Sequence, residues 1–201
     1  MASRTPDASM DATRATSVDE QSAGGRDPGV AYDDEEWTAT RTVERRENLA
    51  VGDSVVFEKS FSEDDIDTFA RTSGDTNRLH LDGEFAGETR FGGRIAHGTL
   101  VSGLVSAALA RLPGLTVYLS QDTSFNAPAT MGGRFTAECE IVEELGDWQY
   151  RLTTVVTDEA GTELIDGEAV VLVDELPETS AASTADESPS LENGSTEPKG
   201  E

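Results

Sequence analysis

The segment 95–112, IAHGTLVSGLVSAALARL, is the longest apolar run in the chain and restricts the fold more than any other feature. A surface helix carries a charged face, and this run has almost none. Small residues stand instead at Gly98, Ser102, Gly103, Ser106 and Ala107. Such a helix has to be buried by the rest of the chain. Its side chains are too small and too polar to span a bilayer, and Pro113 and Gly114 stop it.

The flanking sequence supplies the covering surface. Residues 51–61, VGDSVVFEKSF, run from a Gly-Asp turn into an alternating stretch that predicts a strand. Ser62 then offers an N-cap, and Glu63, Asp64 and Asp65 occupy the first turn, where carboxylates suit the helix dipole. Ile66, Phe69 and Ala70 share one face of the short helix that follows, and Gly74 ends it. Residues 74–94 read as a polar loop with one helical turn near 84–87. Beyond the apolar run, strands are predicted over 117–125, 133–143, 148–158 and 163–174, the last two joined by a turn at Glu159, Ala160 and Gly161. One strand, a helical region and an antiparallel meander make an α+β domain, with a curved sheet around the long helix.

That unit spans residues 48–177. Residues 1–47 and 178–201 are rich in Asp, Glu, Ser, Thr and Gly with no sustained apolar period, and both are expected to be disordered acidic tails, since they bury too little to offset ordering entropy. The chain carries 40 acidic against 15 basic residues, a net charge of -25. A surface of this sign repels nucleic acid and anionic membrane, so neither is an expected partner. The only lysines are Lys59 and Lys199. Acid excess with so little lysine points to a halophilic setting, a cytoplasm at high salt where self-repulsion is screened; the alternative, acidity confined to the tails, leaves the acidic core unexplained. Cys139 is the only cysteine, which rules out an intrachain disulfide, and its alternating surroundings make it a buried small residue rather than a nucleophile. Neither a leader pattern nor a membrane span is evident, so a cytoplasmic protein is expected.

Groups suited to acid/base work gather in one place. The chain has two histidines, His80 and His97, which flank the same polar loop, and Asp75 precedes the first in SGDTNRLH. A carboxylate and an imidazole on one loop can hold and polarise a water. An isolated pair at this spacing is more often an Asx-turn beside a packing histidine. His97 and Gly98 open the apolar helix, where free backbone N–H groups favour an oxyanion and a glycine admits a carbonyl oxygen closely. Every helix has such an end, and a glycine there also serves close packing.

The two blocks together are more specific. FARTSGDTNRLHLDGEFA, residues 69–86, resembles the hydratase motif of MaoC-like proteins, and RFGGRIAHGTL, residues 90–100, resembles the family's next block. Residues 114–125 and 166–173 resemble the strand after the helix and the last strand. The resemblance implies a hot-dog fold, a homodimer or higher homo-oligomer, and an acyl-CoA thioester as substrate. By it Asp75 and His80 are the catalytic pair and Gly98 supplies the oxyanion-hole amide, with Asn77, Ser106 and His97 in support. No metal and no cofactor are implied, CoA being part of the substrate. The expected reaction is reversible syn hydration of a trans-2-enoyl-CoA to an (R)-3-hydroxyacyl-CoA. Arg78 departs from the pattern, standing where the family usually has proline. It leaves the loop less constrained in the unfolded chain, and a second expectation is that it faces the CoA phosphates.

Other readings share these residues. A dehydratase on a hydroxyacyl-ACP or a branched hydroxydicarboxylyl-CoA would show the same motif. A non-catalytic acyl-thioester-binding hot-dog protein would often lack Asp75 or His80. A hot-dog thioesterase would not need the Asp-x-Asn-x-x-His run.

Overall fold

Alternating apolar residues build the sheet, and one apolar helix fills it. The computed structural model describes residues 37–177. In chain order these form β1 (Trp37–Arg41), β2 (Ser54–Ser60), α1 (Glu63–Ser73), α2 (Arg78–Leu81), α3 (Gly83–Gly87), α4 (Gly98–Leu109), β3 (Leu115–Phe125), β4 (Arg134–Gly146), β5 (Gln149–Asp158) and β6 (Glu163–Asp174), with a 3₁₀ turn at Arg46–Asn48. The strands make one antiparallel sheet in the order β1-β2-β4-β5-β6-β3. Phe135, Ala137, Cys139 and Ile141 point inward from β4, and Tyr150, Leu152, Thr154 and Val156 do so from β5. Period-two alternation puts one face of each strand on the core. Against that face lies α4, packed on β2, β4 and β5 through Val101, Leu104, Val105, Ala108 and Leu109. The result is the expected α+β hot-dog domain.

Burial within the chain covers only one side of α4. Gly103 and Ser106 are exposed, so the small residues that stand in for a charged face line its open side. Cys139 is fully buried, and burial, with a lesser push from the Glu138 carboxylate, raises its thiol to about 12. It stays a thiol at neutral pH and serves as packing. No helix among the described residues is long and apolar enough to cross a membrane.

Two expectations need correction. The tail reading of 1–47 fails for residues 37–47: β1 pairs with β2 from Trp37↔Lys59 to Arg41↔Val55, and Trp37 packs its ring against Phe57 at 6.1 Å. One inward aromatic on an otherwise polar strand gave too weak an alternation to read. The remainder of that segment, and residues 178–201, lie outside the described residues. The polar loop holds two short helices, α2 and α3, in place of one turn. Both are made by side-chain caps rather than by apolar period, with Asn77 accepting from the Leu79 amide and Asp82 from the Phe85 amide.

Candidate active site

The site grows out of the C-terminus of α1. Gly74 ends that helix in the left-handed region, at φ 80°, where glycine avoids the Cβ clash. The Ser73 hydroxyl donates back to the Phe69 carbonyl at 2.7 Å and accepts from the Asp75 amide at 3.2 Å, so the chain turns sharply into Asp75. Asp75 accepts the Asn77 amide at 3.3 Å, and Asn77 in turn starts α2. The single turn of α2 then points His80 inward, leaving it 9% exposed, while Asp75 remains open to the cleft. Asn77 therefore acts through loop shape.

His80 is fixed from behind. Its Nδ1 lies 2.8 Å from the Ile95 carbonyl oxygen, which can only accept, so the proton sits on Nδ1 and Nε2 offers a lone pair. The Ile95 amide donates to the Leu79 carbonyl at 3.2 Å, closing the same connection from the other side. Arg94 completes it. Its Nε donates to the His80 carbonyl, and its two terminal nitrogens reach Glu63 at 3.2 Å and Asp67 at 3.1 Å on α1. Sequence reading assigned Arg94 no role; an arginine between two glycines and an apolar run, facing an acidic helix start, was the available signal.

His97 is the residue before α4 and is 1% exposed. Its Nε2 donates to the Asp75 carbonyl at 3.0 Å, and its Nδ1 has no partner. The ring stacks on His80 with centroids 3.9 Å apart and planes tilted by 32°, while Phe69 covers it at 4.9 Å. The Asp75 carboxylate and a nitrogen from each histidine lie within 4.8 Å of one another. These three are the residues that could hold a metal. His80 Nδ1 and His97 Nε2 are already bonded to the Ile95 and Asp75 carbonyls, so each ring has one nitrogen left for any such metal or for a bound water.

A cleft of about 450 Å³ opens over this set. Asp75 and His80 line it together with Arg90 and Asn126, Gly98 at the start of α4 lines it too, and Ile95, Phe125 and Ile165 belong to its apolar lining. A Cβ on Gly98 would come within 2.8 Å of the Phe125 ring, so a side chain there would force the two apart. Glycine at 98 is thus required by space, and its amide stands at the positive end of the helix. Ser106 is exposed farther along α4 and does not line the cleft. Arg78 turns away too: its guanidinium holds Asp82 at 2.7 Å and lies 4.2 Å from the centre of the Phe85 ring. These two contacts brace the loop from outside the cleft.

Comparison with known proteins agrees with this geometry. The model of the MaoC like domain matches residues 37–163, from β1 to the start of β6. A 3-hydroxybutyryl-CoA dehydratase of Methylorubrum extorquens is 41% identical over 130 residues, which cover 63% of this chain and 82% of that protein. An (R)-specific enoyl-CoA hydratase of Rhodospirillum rubrum is 37% identical over 129 residues, covering 63% of this chain and 90% of the relative. An unliganded R-hydratase from Pseudomonas aeruginosa matches in structure with a TM-score of 0.63 at 35% identity, over 69% of this chain and 90% of that one. Strands β1 to β5, the central helix and the loop carrying Asp75 and His80 fall inside the domain match, and the chain belongs to the MaoC-like family as a hydro-lyase acting on acyl thioesters.

Proposed function

We propose that the chain is an (R)-specific enoyl-CoA hydratase, with Asp75 and His80 sharing one water and Gly98 receiving the thioester oxygen. One observation carries this reading: the Asp75 carboxylate and the His80 imidazole sit together in a mainly apolar cleft that Gly98, the first residue of α4, also lines. The lone pair on His80 Nε2 accepts one proton of the water and the carboxylate accepts the other, which aims the oxygen at C3 of a trans-2-enoyl thioester. As the C3–O bond forms, negative charge moves to the thioester oxygen, where the Gly98 amide and the helix dipole stabilise it. The proton taken from water passes to C2 from the side on which the oxygen arrived. Oxygen and proton thus enter from one face, which is syn addition; with the water held on the face of C3 that leads to it, the product is the (R)-3-hydroxyacyl thioester. Dehydration is the reverse. No step requires a metal or a cofactor.

Assembly follows from the sheet edge. Strand β3 is an eleven-residue edge that leaves Leu115, Val117 and Leu119 exposed. An unpaired apolar edge of this length favours pairing with another strand, and a second copy of β3 would continue the sheet antiparallel across a twofold axis.

The test is loss of the conjugated thioester absorbance with crotonyl-CoA in concentrated KCl, followed by chiral analysis. (R)-3-hydroxybutyryl-CoA is the expected product. The (S) product would refute the assigned facial geometry, and turnover confined to acyl-ACP or branched dicarboxylyl thioesters would move the substrate assignment to that class.

A further inference from the structure

His97 is more deeply buried than either member of the catalytic pair, yet the hydration chemistry does not use its ring. Its position is nonetheless specific. It joins three parts of the site: the Asp75 backbone through an Nε2–H···O=C bond of 3.0 Å, the His80 ring through a stack at 3.9 Å, and the start of α4, for which it is the N-cap residue. Simple packing does not account for the residue type. A phenyl ring would fill the space between Phe69 and His80 without the unpartnered Nδ1 that His97 carries, but it would take away the donor to the Asp75 carbonyl. The unpartnered nitrogen is destabilising, so the gain has to come from the other one.

We propose that His97 is a positioning residue for the hydration site. Through Nε2–H it fixes the carbonyl of Asp75, and through its ring face it fixes the plane of His80, so that the carboxylate and His80 Nε2 stay at the separation one shared water requires. The inference rests on the assignment of Asp75 and His80 as the reacting pair. Displacements of about 1 Å in such a constellation reduce turnover on the order of 10²-fold, whereas substrate binding depends mainly on the cleft walls.

Two substitutions separate the contacts. His97→Phe keeps the ring and the stack but removes the donor; His97→Gln restores a donor on its amide nitrogen and removes the ring. With crotonyl-CoA as the probe, or another enoyl thioester that the wild type turns over, His97→Phe is expected to lower kcat at least 10-fold with KM within about twofold, while the protein stays folded at the assay temperature. His97→Gln should recover kcat at least threefold over His97→Phe despite a lower Tm. A His97→Phe enzyme with wild-type kcat overturns the proposal, as does a loss confined to KM. Imidazole ¹⁵N shifts of the wild type give a readout that needs neither variant nor turnover: the proton should lie on Nε2 of His97 and on Nδ1 of His80, and a proton on Nδ1 of His97 instead overturns the proposal. A wild type inert toward every enoyl thioester would refute the hydratase reading, and the ¹⁵N shifts would still decide the placement of His97.

Discussion

Residues 74–97 and the β4-β5-β6 meander are held by different forces. The meander rests on continuous backbone ladders and on inward side chains such as Phe135, Ile141, Leu152 and Val156, all essentially inaccessible to water. The segment 74–97 has no ladder beyond the single Ile95↔Thr130 bridge. Scattered backbone bonds of short turns are joined there by side chains bonded to backbone, from Asn77, Asp82, Thr89, His80, His97 and Arg94. A ladder distributes stability over many equivalent bonds. A set of individual side-chain bonds fixes particular atoms, which is what a site needs. The two regions should therefore fail in different ways when a residue is removed.

The largest effect is expected within the loop. Asp75→Asn removes the charge that orders the water while keeping shape and the bond to the Asn77 amide. His80→Asn keeps a donor for the Ile95 carbonyl while deleting the Nε2 lone pair. Each should lower kcat/KM for crotonyl-CoA on the order of 10²–10⁴-fold, with Tm nearly unchanged for Asp75→Asn. Wild-type turnover in either variant would remove that residue from the reaction.

The opposite signature belongs to the meander. Leu152 is fully buried on β5, and Leu152→Ala should cost about 2–5 kcal/mol through lost transfer energy and the cavity left behind. Denaturant unfolding measures that loss. Activity per folded molecule should stay within about twofold, because the lost side chain lies in the core and does not line the cleft. If kcat instead fell in proportion to stability, the two regions would be one cooperative unit and the contrast would fail.

The same difference governs what the sequence made legible. Strands and the central helix announce themselves through periodic burial, so β4, β5 and β6 were predicted to within a few residues and α4 was placed inside the apolar run. The capping box of α1 is local as well, with Ser62 and Asp65 each bonded to the other's backbone. By contrast α2 and α3 carry too few residues for a period, and their signature was the pair of cap residues Asn77 and Asp82 standing before short apolar groups. The stack of His97 on His80 could not be read at all, because it joins residues seventeen apart through tertiary packing. Asp75 and His80 could be singled out in the sequence because both stand in one short motif. Arg94 was passed over because its partners lie far away on α1.

The smallest effect tests how the loop tolerates its departure from the family pattern. Arg78 is the first residue of α2, and Asn77 before it has φ -57° and ψ 130°, a conformation compatible with a following proline. The first helical position has no intrahelical use for its N–H, which is why proline is accepted there. Arg78→Pro should therefore stabilise the fold by reducing the freedom of the unfolded chain, by about 0.4–1 kcal/mol. Against this stands the loss of an exposed bond to Asp82 and of the contact with Phe85, and exposed pairs contribute little. The gain and loss nearly offset, and Tm should stay within about 4 °C of the wild type. Asp82 gives a second readout. The Phe85 amide and then the Arg78 guanidinium hold its carboxyl below the ordinary value, so its contribution to stability is present above the unfolded value near 4 and is lost as pH falls through the lower folded value. Without Arg78 the folded value rises toward the ordinary one, so the share of stability that Asp82 loses in acid should shrink and the acid limb of the stability curve should become shallower. A large fall in Tm would mean that Arg78 and Asp82 hold α2 in place, and that in this chain an ion pair has replaced proline as the support beneath His80.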